Sequence, residues 1–371
     1  MLTELVLENY RGFSYHSIPL RPTTVLVGEN NAGKSTIVEA LRLLSLVVTR
    51  FENLQFSPGP TCLGLGLATR GVSPSLRNVE INLNTICYRY GKPPAKVTAR
   101  FESEERVEIY VGPETVFAVV YDSDDRMVTT KGAAARTHLP DVKILPQVAP
   151  LAREERRLSQ QYVEAARSSS LSPLHFRNQL VVFNEYFDDF RVAVESLWPG
   201  MRIRELDTPS RLSTEEPISL LVQDGDFTAE VSWMGHGLQT WLQTIWFLVL
   251  AAGADTMILD EPDVYMHADL QRKLIRYIKG RFGQIIIATH SPEIMAEVEP
   301  EDILIVNRER PQSQFATSMP IAQSVVESIG SVHNLQLARL WNGRRLLLVE
   351  GDDVPILKRF QDAIDPLSQT P

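Results

Sequence analysis

One run of residues, Gly28-Glu29-Asn30-Asn31-Ala32-Gly33-Lys34-Ser35-Thr36, limits what this chain can fold into more than any other feature. It fits the pattern Gly-x4-Gly-Lys-Ser, a loop whose glycines let backbone N–H groups turn inward around an anion. A β-branched run (Thr23, Thr24, Val25, Leu26, Val27) feeds it, and a helix-period apolar set (Ile37, Leu41, Leu44, Val48) leaves it. The spacing therefore predicts a strand, a phosphate loop and a helix in that order.

The residue types suit a nucleoside triphosphate. The N-terminus of the new helix adds partial positive charge beside the phosphates. Lys34 is expected to bridge the β- and γ-phosphates and the Ser35 hydroxyl to ligate Mg²⁺, with Asn30, Asn31 and Thr36 completing the loop's contacts.

At 371 residues the chain is long enough for one large domain or two ordinary ones. The longest apolar stretch, 241–254, is too short to cross a bilayer and carries Gln243, so no membrane partner is expected. Glu4 and Glu8 fall where a signal peptide needs a basic start and an apolar run. Two cysteines, Cys62 and Cys87, support neither a disulfide framework nor a cysteine-based zinc site, and a reducing cytoplasm is expected. A net charge of −9 argues against coating DNA indiscriminately, although Arg153, Arg156 and Arg157, or Arg344 and Arg345, leave room for a local basic groove.

Along the chain, residues 3–27 read as short strands with a turn at Arg11-Gly12-Phe13, and the Gly- and Pro-rich stretch 57–74 reads as a loop. The β-type runs 79–90, 97–111 and 115–130 predict an antiparallel sheet with one solvated face. From about Leu151 to Trp198 the pattern is helical, with Leu180, Phe183, Phe187 and Phe190 on one apolar face. Met257–Leu259, Ile285–Ala288 and Ile303–Val306 are short apolar runs suited to buried parallel strands. The expected fold is α/β: a P-loop ATPase core split by an antiparallel β subdomain and a helical one.

Three more constellations extend the chemistry. Met257-Ile258-Leu259 ends in Asp260-Glu261-Pro262; one carboxylate there can hold the Mg²⁺ shell and its neighbour can orient or deprotonate the attacking water. Asp260 is assigned the first role and Glu261 the second. Ile285-Ile286-Ile287-Ala288-Thr289 ends in His290, placed to hydrogen-bond a γ-phosphate. Ser232-Trp233-Met234-Gly235-His236-Gly237 opens a strongly periodic helix, and small residues at a helix N-terminus can approach a phosphate closely.

Together these motifs resemble the ABC-type ATPases, a class that includes SMC and RecF heads and the OLD (overcoming lysogenization defect) family. Gly235-His236-Gly237-Leu238-Gln239, Glu261-Pro262-Asp263 followed by His267, and Thr289-His290-Ser291-Pro292-Glu293 look most like OLD proteins. The resemblance implies an ATP-sandwiched homodimer in which Ser232, Gly235 and Gly237 reach the partner's γ-phosphate. It makes Asp260 and Glu261 the Walker B pair, His290 the switch histidine and Gln147 the Q-loop glutamine, a further Mg²⁺-side group. The signature is a residue or so longer than the transporter form, and Ala268 stands where the family often has Pro. About 220 residues separate Lys34 from Asp260 without sustained heptads, so no long coiled-coil arm is expected.

Near the end, 345–353 is another apolar run closing in acids, and it resembles the opening of a Toprim nuclease domain with Glu350 as its metal-binding glutamate. Asp353 comes one residue early for that pattern, and a two-metal site needs more carboxylates than follow Glu350. Three explanations stay open: a truncated chain, a degenerate nuclease half, or a nuclease supplied by another protein. The expected division is 1–50 with 223–340 as the ATPase core, 51–145 as a β-rich subdomain, 146–222 as a helical lobe serving dimerisation or partner docking, and 341–371 as the start of a Toprim-like domain. The expected function is a Mg²⁺- and ATP-dependent hydrolase that gates nucleic-acid processing, in prokaryotic DNA repair or anti-phage defence, with DNA or a partner nuclease or effector engaged. An OLD endonuclease regulated by ATP and an ATP-switched scaffold are the rival expectations.

Overall fold

The computed structural model describes residues 1–76, 81–167, 172–207 and 217–328. In chain order the strands are β1 Leu2–Tyr10, β2 Phe13–Pro19, β3 Thr23–Val27, β4 Phe56–Pro58, β5 Arg70–Val72, β6 Ala95–Phe101, β7 Arg106–Gly112, β8 Thr115–Tyr121 and β9 Val142–Ile144. They continue as β10 Met201–Asp207, β11 Ser219–Asp224, β12 Phe227–Glu230, β13 Thr256–Asp260, β14 Gln284–Ala288, β15 Ile303–Ile305 and β16 Gln314–Phe315. The helices are α1 Lys34–Arg50, α2 Lys131–Ala134, α3 Gln160–Ala166, α4 Phe176–Val182, α5 Phe187–Leu197, α6 His236–Leu250, α7 Ala268–Ile278, α8 Pro292–Ala296 and α9 Met319–Ser328.

The centre is a six-stranded sheet in the order β16-β15-β3-β14-β13-β9, parallel throughout except for the edge strand β16. Its strands alternate between two cores, as the two-residue period of a strand demands. Val25, Val27, Met257, Leu259, Ile285 and Ile287 face one core with α6 and α7. Leu26, Ile258, Ile286 and Ala288 face the other with Ile37, Leu41 and Leu44 of α1. Burial on both faces explains why these strands read as unbroken apolar runs.

Behind α1 lies a seven-stranded antiparallel sheet, β2-β1-β6-β7-β8-β5-β4. Strands from the N-terminus thus pair with those of 95–121, while β9 leaves that region for the central sheet. Gln284 ties the two sheets together. It is buried, accepts from Leu2 N–H at 3.0 Å and donates to the Leu2 carbonyl at 2.7 Å.

Three expectations need correction. The run to Tyr90 is no strand: its described part, from residue 81, makes two 3-10 turns, Leu83–Thr85 and Tyr88–Tyr90. The Asn82 side chain caps the first, and Tyr90 takes a positive φ of 57°. The run 97–111 is two strands joined by a tight turn. The stretch 57–74 is only partly loop, because β4 and β5 extend the sheet. Its Leu63 and Leu65 also cover Phe117 and Val119, so the outer face is not wholly solvated.

Among the described residues of 151–198 the helical expectation holds for α3, α4 and α5, while 151–159 forms no helix. Leu180, Phe183 and Phe190 are buried, and Phe187 packs beside them against α6. Trp246 of α6 meets Phe190 edge-on at 5.5 Å and donates its N–H to Gln179 at 3.1 Å. The three-stranded sheet β10-β11-β12 finishes this lobe. Residues 341–371, including Glu350, lie outside the described residues.

Candidate active site

β3, β14 and β13 are adjacent and parallel, so their C-terminal ends deliver Gly28, His290 and Asp260 to one edge of the sheet. Ligands in open α/β sheets bind at that edge.

The loop's shape depends on its glycines. Gly33 caps α1 with φ 109°, a left-handed conformation that glycine adopts without a Cβ penalty, and a methyl there would run into the Phe13 ring. At Gly28 a Cβ would sit 2.6 Å from the Val306 carbonyl. Asn31 also has positive φ, and Asn30, Asn31 and Ser35 are exposed. Lys34 is buried; its ammonium donates to the carbonyls of Gly28 at 2.9 Å and Glu29 at 3.3 Å. Burial pushes the Lys34 pKa down, against the pull of Glu261 and Asp260. An ammonium held only by neutral carbonyls is available to an incoming anion.

Asp260 closes β13 and accepts from the Gln147 amide at 3.2 Å. Burial, then the neighbouring Glu261, raises its pKa. Glu261 has φ 46°, and its N–H donates to the Ala288 carbonyl at 2.8 Å, which fixes the turn after β13. Its carboxylate lies 4.0 Å from His290 Nε2. Burial, then the Lys34 charge, lowers the His290 pKa, so the imidazole is neutral near pH 7. The structure thus brings together Gly28, Gly33, Lys34, Gln147, Asp260, Glu261 and His290.

The donor set fits a magnesium–nucleotide group on two observations: a buried ammonium folded onto its own loop, and a half-buried carboxylate whose charge is disfavoured beside a second one. A divalent cation relieves such a pair, and phosphate relieves the ammonium. Ser35, at the start of α1, stands beside Lys34 with its side chain free to face a metal. Among the described residues no group of three or more His, Cys, Asp and Glu could by itself hold a metal ion.

Ser232 lies in a 3-10 turn, Val231–Trp233, and Gly235 and Gly237 lie at the start of α6. The Ser232 hydroxyl bonds to Glu230 and to the Arg153 carbonyl, and a Cβ on Gly237 would lie 3.0 Å from the Tyr265 carbonyl. Their links therefore run to the helical lobe and the turn after Glu261, rather than to the phosphate loop of the same chain.

Sequence reasoning missed the frame around these groups. Thr289 donates to Asp263 at 2.5 Å, and Ser291 caps α8. Buried Arg177 donates Nε and Nη2 to Glu230 at 2.9 and 2.8 Å and Nη1 to the Ala152 carbonyl at 3.2 Å. Glu230 also accepts from the Ser232 N–H at 2.7 Å, so the helical lobe holds the signature turn.

Two family models match the chain: one described as "AAA domain, putative AbiEii toxin, Type IV TA system" over residues 134–296, and one described as "AAA ATPase domain" over residues 1–89. No curated protein matches. The mixed α/β fold is similar to that of SMC heads, which are ABC-type P-loop ATPases. A solved SMC head bound to the C-terminal winged-helix domain of ScpA matches with TM-score 0.55 at 15% identity, covering 86% of this chain and 99% of that one. An SMC head with an extended coiled coil, bound to the C-terminal domain of ScpA derived from Pyrococcus furiosus, matches with TM-score 0.51 at 15% identity, covering 88% and 99%. No helix among the described residues is long and apolar enough to cross a membrane.

Proposed function

We propose that this chain is a Mg²⁺-dependent ATP hydrolase that closes as an ATP-sandwiched dimer and gates a nucleic-acid-processing step. The observation that carries the reading is the convergence of Lys34, the Asp260–Glu261 pair and His290 on one sheet edge. Bound Mg²⁺–ATP supplies the phosphoryl group and neutralises charge on its oxygens. Lys34 would exchange its two carbonyls for the β- and γ-phosphates, and Asp260, Ser35 and Gln147 would hold the metal. Glu261 orients the attacking water and accepts its proton. Neutral His290 donates or accepts at the γ-phosphate without adding charge.

Dimerisation is supported by the OLD-like signature itself, whose Ser232 and Gly237 contact the helical lobe and the Tyr265 turn; in a sandwich Ser232, Gly235 and Gly237 would complete the site of a second copy. The OLD-like motifs support a setting in DNA repair or phage defence, and the toxin–antitoxin description of one matching family agrees with defence. The solved SMC heads carry ScpA domains, which favours a partner effector docking on this chain too. Light scattering on Glu261→Gln tests the reading. Saturating ATP with Mg²⁺ should double the mass, and Ser232→Arg should prevent it; an unchanged mass with nucleotide bound refutes the sandwich.

A further inference from the structure

Gly28 rests on a strap of chain, residues 306–313, which connects β15 to β16, and Gly33 is linked to the same strap through two rings. At one end the Val306 N–H donates to the Val27 carbonyl at 2.8 Å, and the Val306 carbonyl faces Gly28. At the other end the connection is indirect. The Phe13 ring lies against Gly33 and stacks on the His16 ring, with centroids 4.5 Å apart and planes 25° from parallel. His16 is fully buried, and both its nitrogens are bound to the strap: Nδ1 to the Arg310 carbonyl and Nε2 to the Ser313 hydroxyl, each at 2.8 Å. A carbonyl only accepts, so Nδ1 carries the proton and Nε2 of the neutral ring accepts from Ser313. Around them β2 and the strap are joined by Ser17 N–H to the Pro311 carbonyl at 2.9 Å and Ser313 N–H to the Ser17 carbonyl at 3.0 Å.

We infer that Phe13, His16 and Ser313 are positioning residues for the nucleotide: the stacked pair transmits the seat of the 306–313 strap to Gly33 and so sets the curvature of the phosphate loop. This rests on the ATP-binding reading above. Gly33 is where the loop turns into α1 with a left-handed backbone, and the Phe13 ring occupies the space that a Cβ there would need. Without that backing, Gly33 loses the wall that holds its φ, and the inward N–H groups lose alignment. Phosphate grip is felt equally by bound ATP and by the transition state, so the loss appears in KM rather than in kcat.

The test is steady-state hydrolysis and calorimetric ATP binding for Phe13→Leu and Ser313→Ala, with Val119→Ala as a control. Val119 is buried under Leu63 in the outer sheet, remote from the strap. Phe13→Leu should raise KM and Kd for ATP roughly tenfold with kcat nearly unchanged, the scale of a sub-ångström displacement of a binding group. Ser313→Ala, which keeps both rings, should raise them about threefold. Val119→Ala should lower the melting temperature and leave KM unchanged, the pattern that Phe13→Leu would share if its role were merely structural. If Phe13→Leu does not fold, Ser313→Ala decides. Folded variants with KM and Kd within twofold of wild type overturn this inference alone. A wild-type chain that binds no ATP overturns the proposed function and this inference with it.

Discussion

Removing the buried guanidinium of Arg177 is the sharpest structural test of how the helical lobe holds the signature turn. Its side chain is 1% exposed and sits between Glu230, which takes two of its N–H bonds, and Glu155, at 3.6 Å. Arg177→Met keeps much of the stem's volume but leaves two largely buried carboxylates facing each other. Breaking a buried pair from one side costs about 3–5 kcal/mol, chiefly because the remaining charge is stranded. Glu230 keeps the Ser232 N–H, and Glu155 keeps Asn178, so the lower half of that range is expected. For a chain of this size, that is a fall of roughly 5–10 °C in melting temperature, read by calorimetry. Arg177→Met with Glu230→Gln should recover more than half of the loss, because one stranded charge is gone. A single variant melting within about 1 °C of wild type would show that the pair does not hold the lobe.

Other outcomes follow from the site's electrostatics. Asp260 has its pKa raised, so the native state binds a proton more readily than the unfolded chain and loses stability as pH rises above the ordinary 3.8. Asp260→Asn should therefore melt higher than wild type near pH 7 while losing the extra stabilisation by Mg²⁺–ATP, read by differential scanning fluorimetry. His290 has its pKa lowered, so protonation as pH falls below the ordinary 6.5 opposes the native state. Across pH 6.5 to 5 His290→Gln should lose less stability than wild type, and an identical acid limb would contradict the assignment. Gly28→Ala should weaken ATP binding at least tenfold, because the new methyl meets the Val306 carbonyl. Isothermal titration showing wild-type affinity would mean that the loop tolerates the displacement.

The parts of this fold that were legible in the sequence are those in which local pattern and tertiary role coincide. Gly28 to Ser35, Asp260 and His290 each end an apolar run, and parallel pairing of β3, β14 and β13 carries those ends to one edge. Gln147 could be singled out only through the resemblance to ABC-type ATPases; its contact with Asp260 depends on β9 joining β13, which three residues of strand do not advertise. Residues 81–90 alternate like a strand, but Asn82 offers its side chain to the Asn84 N–H and turns the backbone instead. The short strands β4 and β5 hid in a Gly- and Pro-rich stretch because their order comes from pairing with each other and with β8, and from Phe56 and Val72 packing into the inner core. Arg177 with Glu230, and His16 with Ser313, are partners 53 and 297 residues apart, and no local pattern encodes such a distance.

The most direct test of the central claim is to measure ATP binding and Mg²⁺-dependent hydrolysis side by side in wild type, Lys34→Ala and Glu261→Gln. The account predicts that wild type hydrolyses ATP, that Lys34→Ala neither binds nor hydrolyses it, and that Glu261→Gln binds at wild-type affinity while turnover falls at least a hundredfold. Undiminished hydrolysis in Glu261→Gln, or undiminished binding in Lys34→Ala, would contradict it.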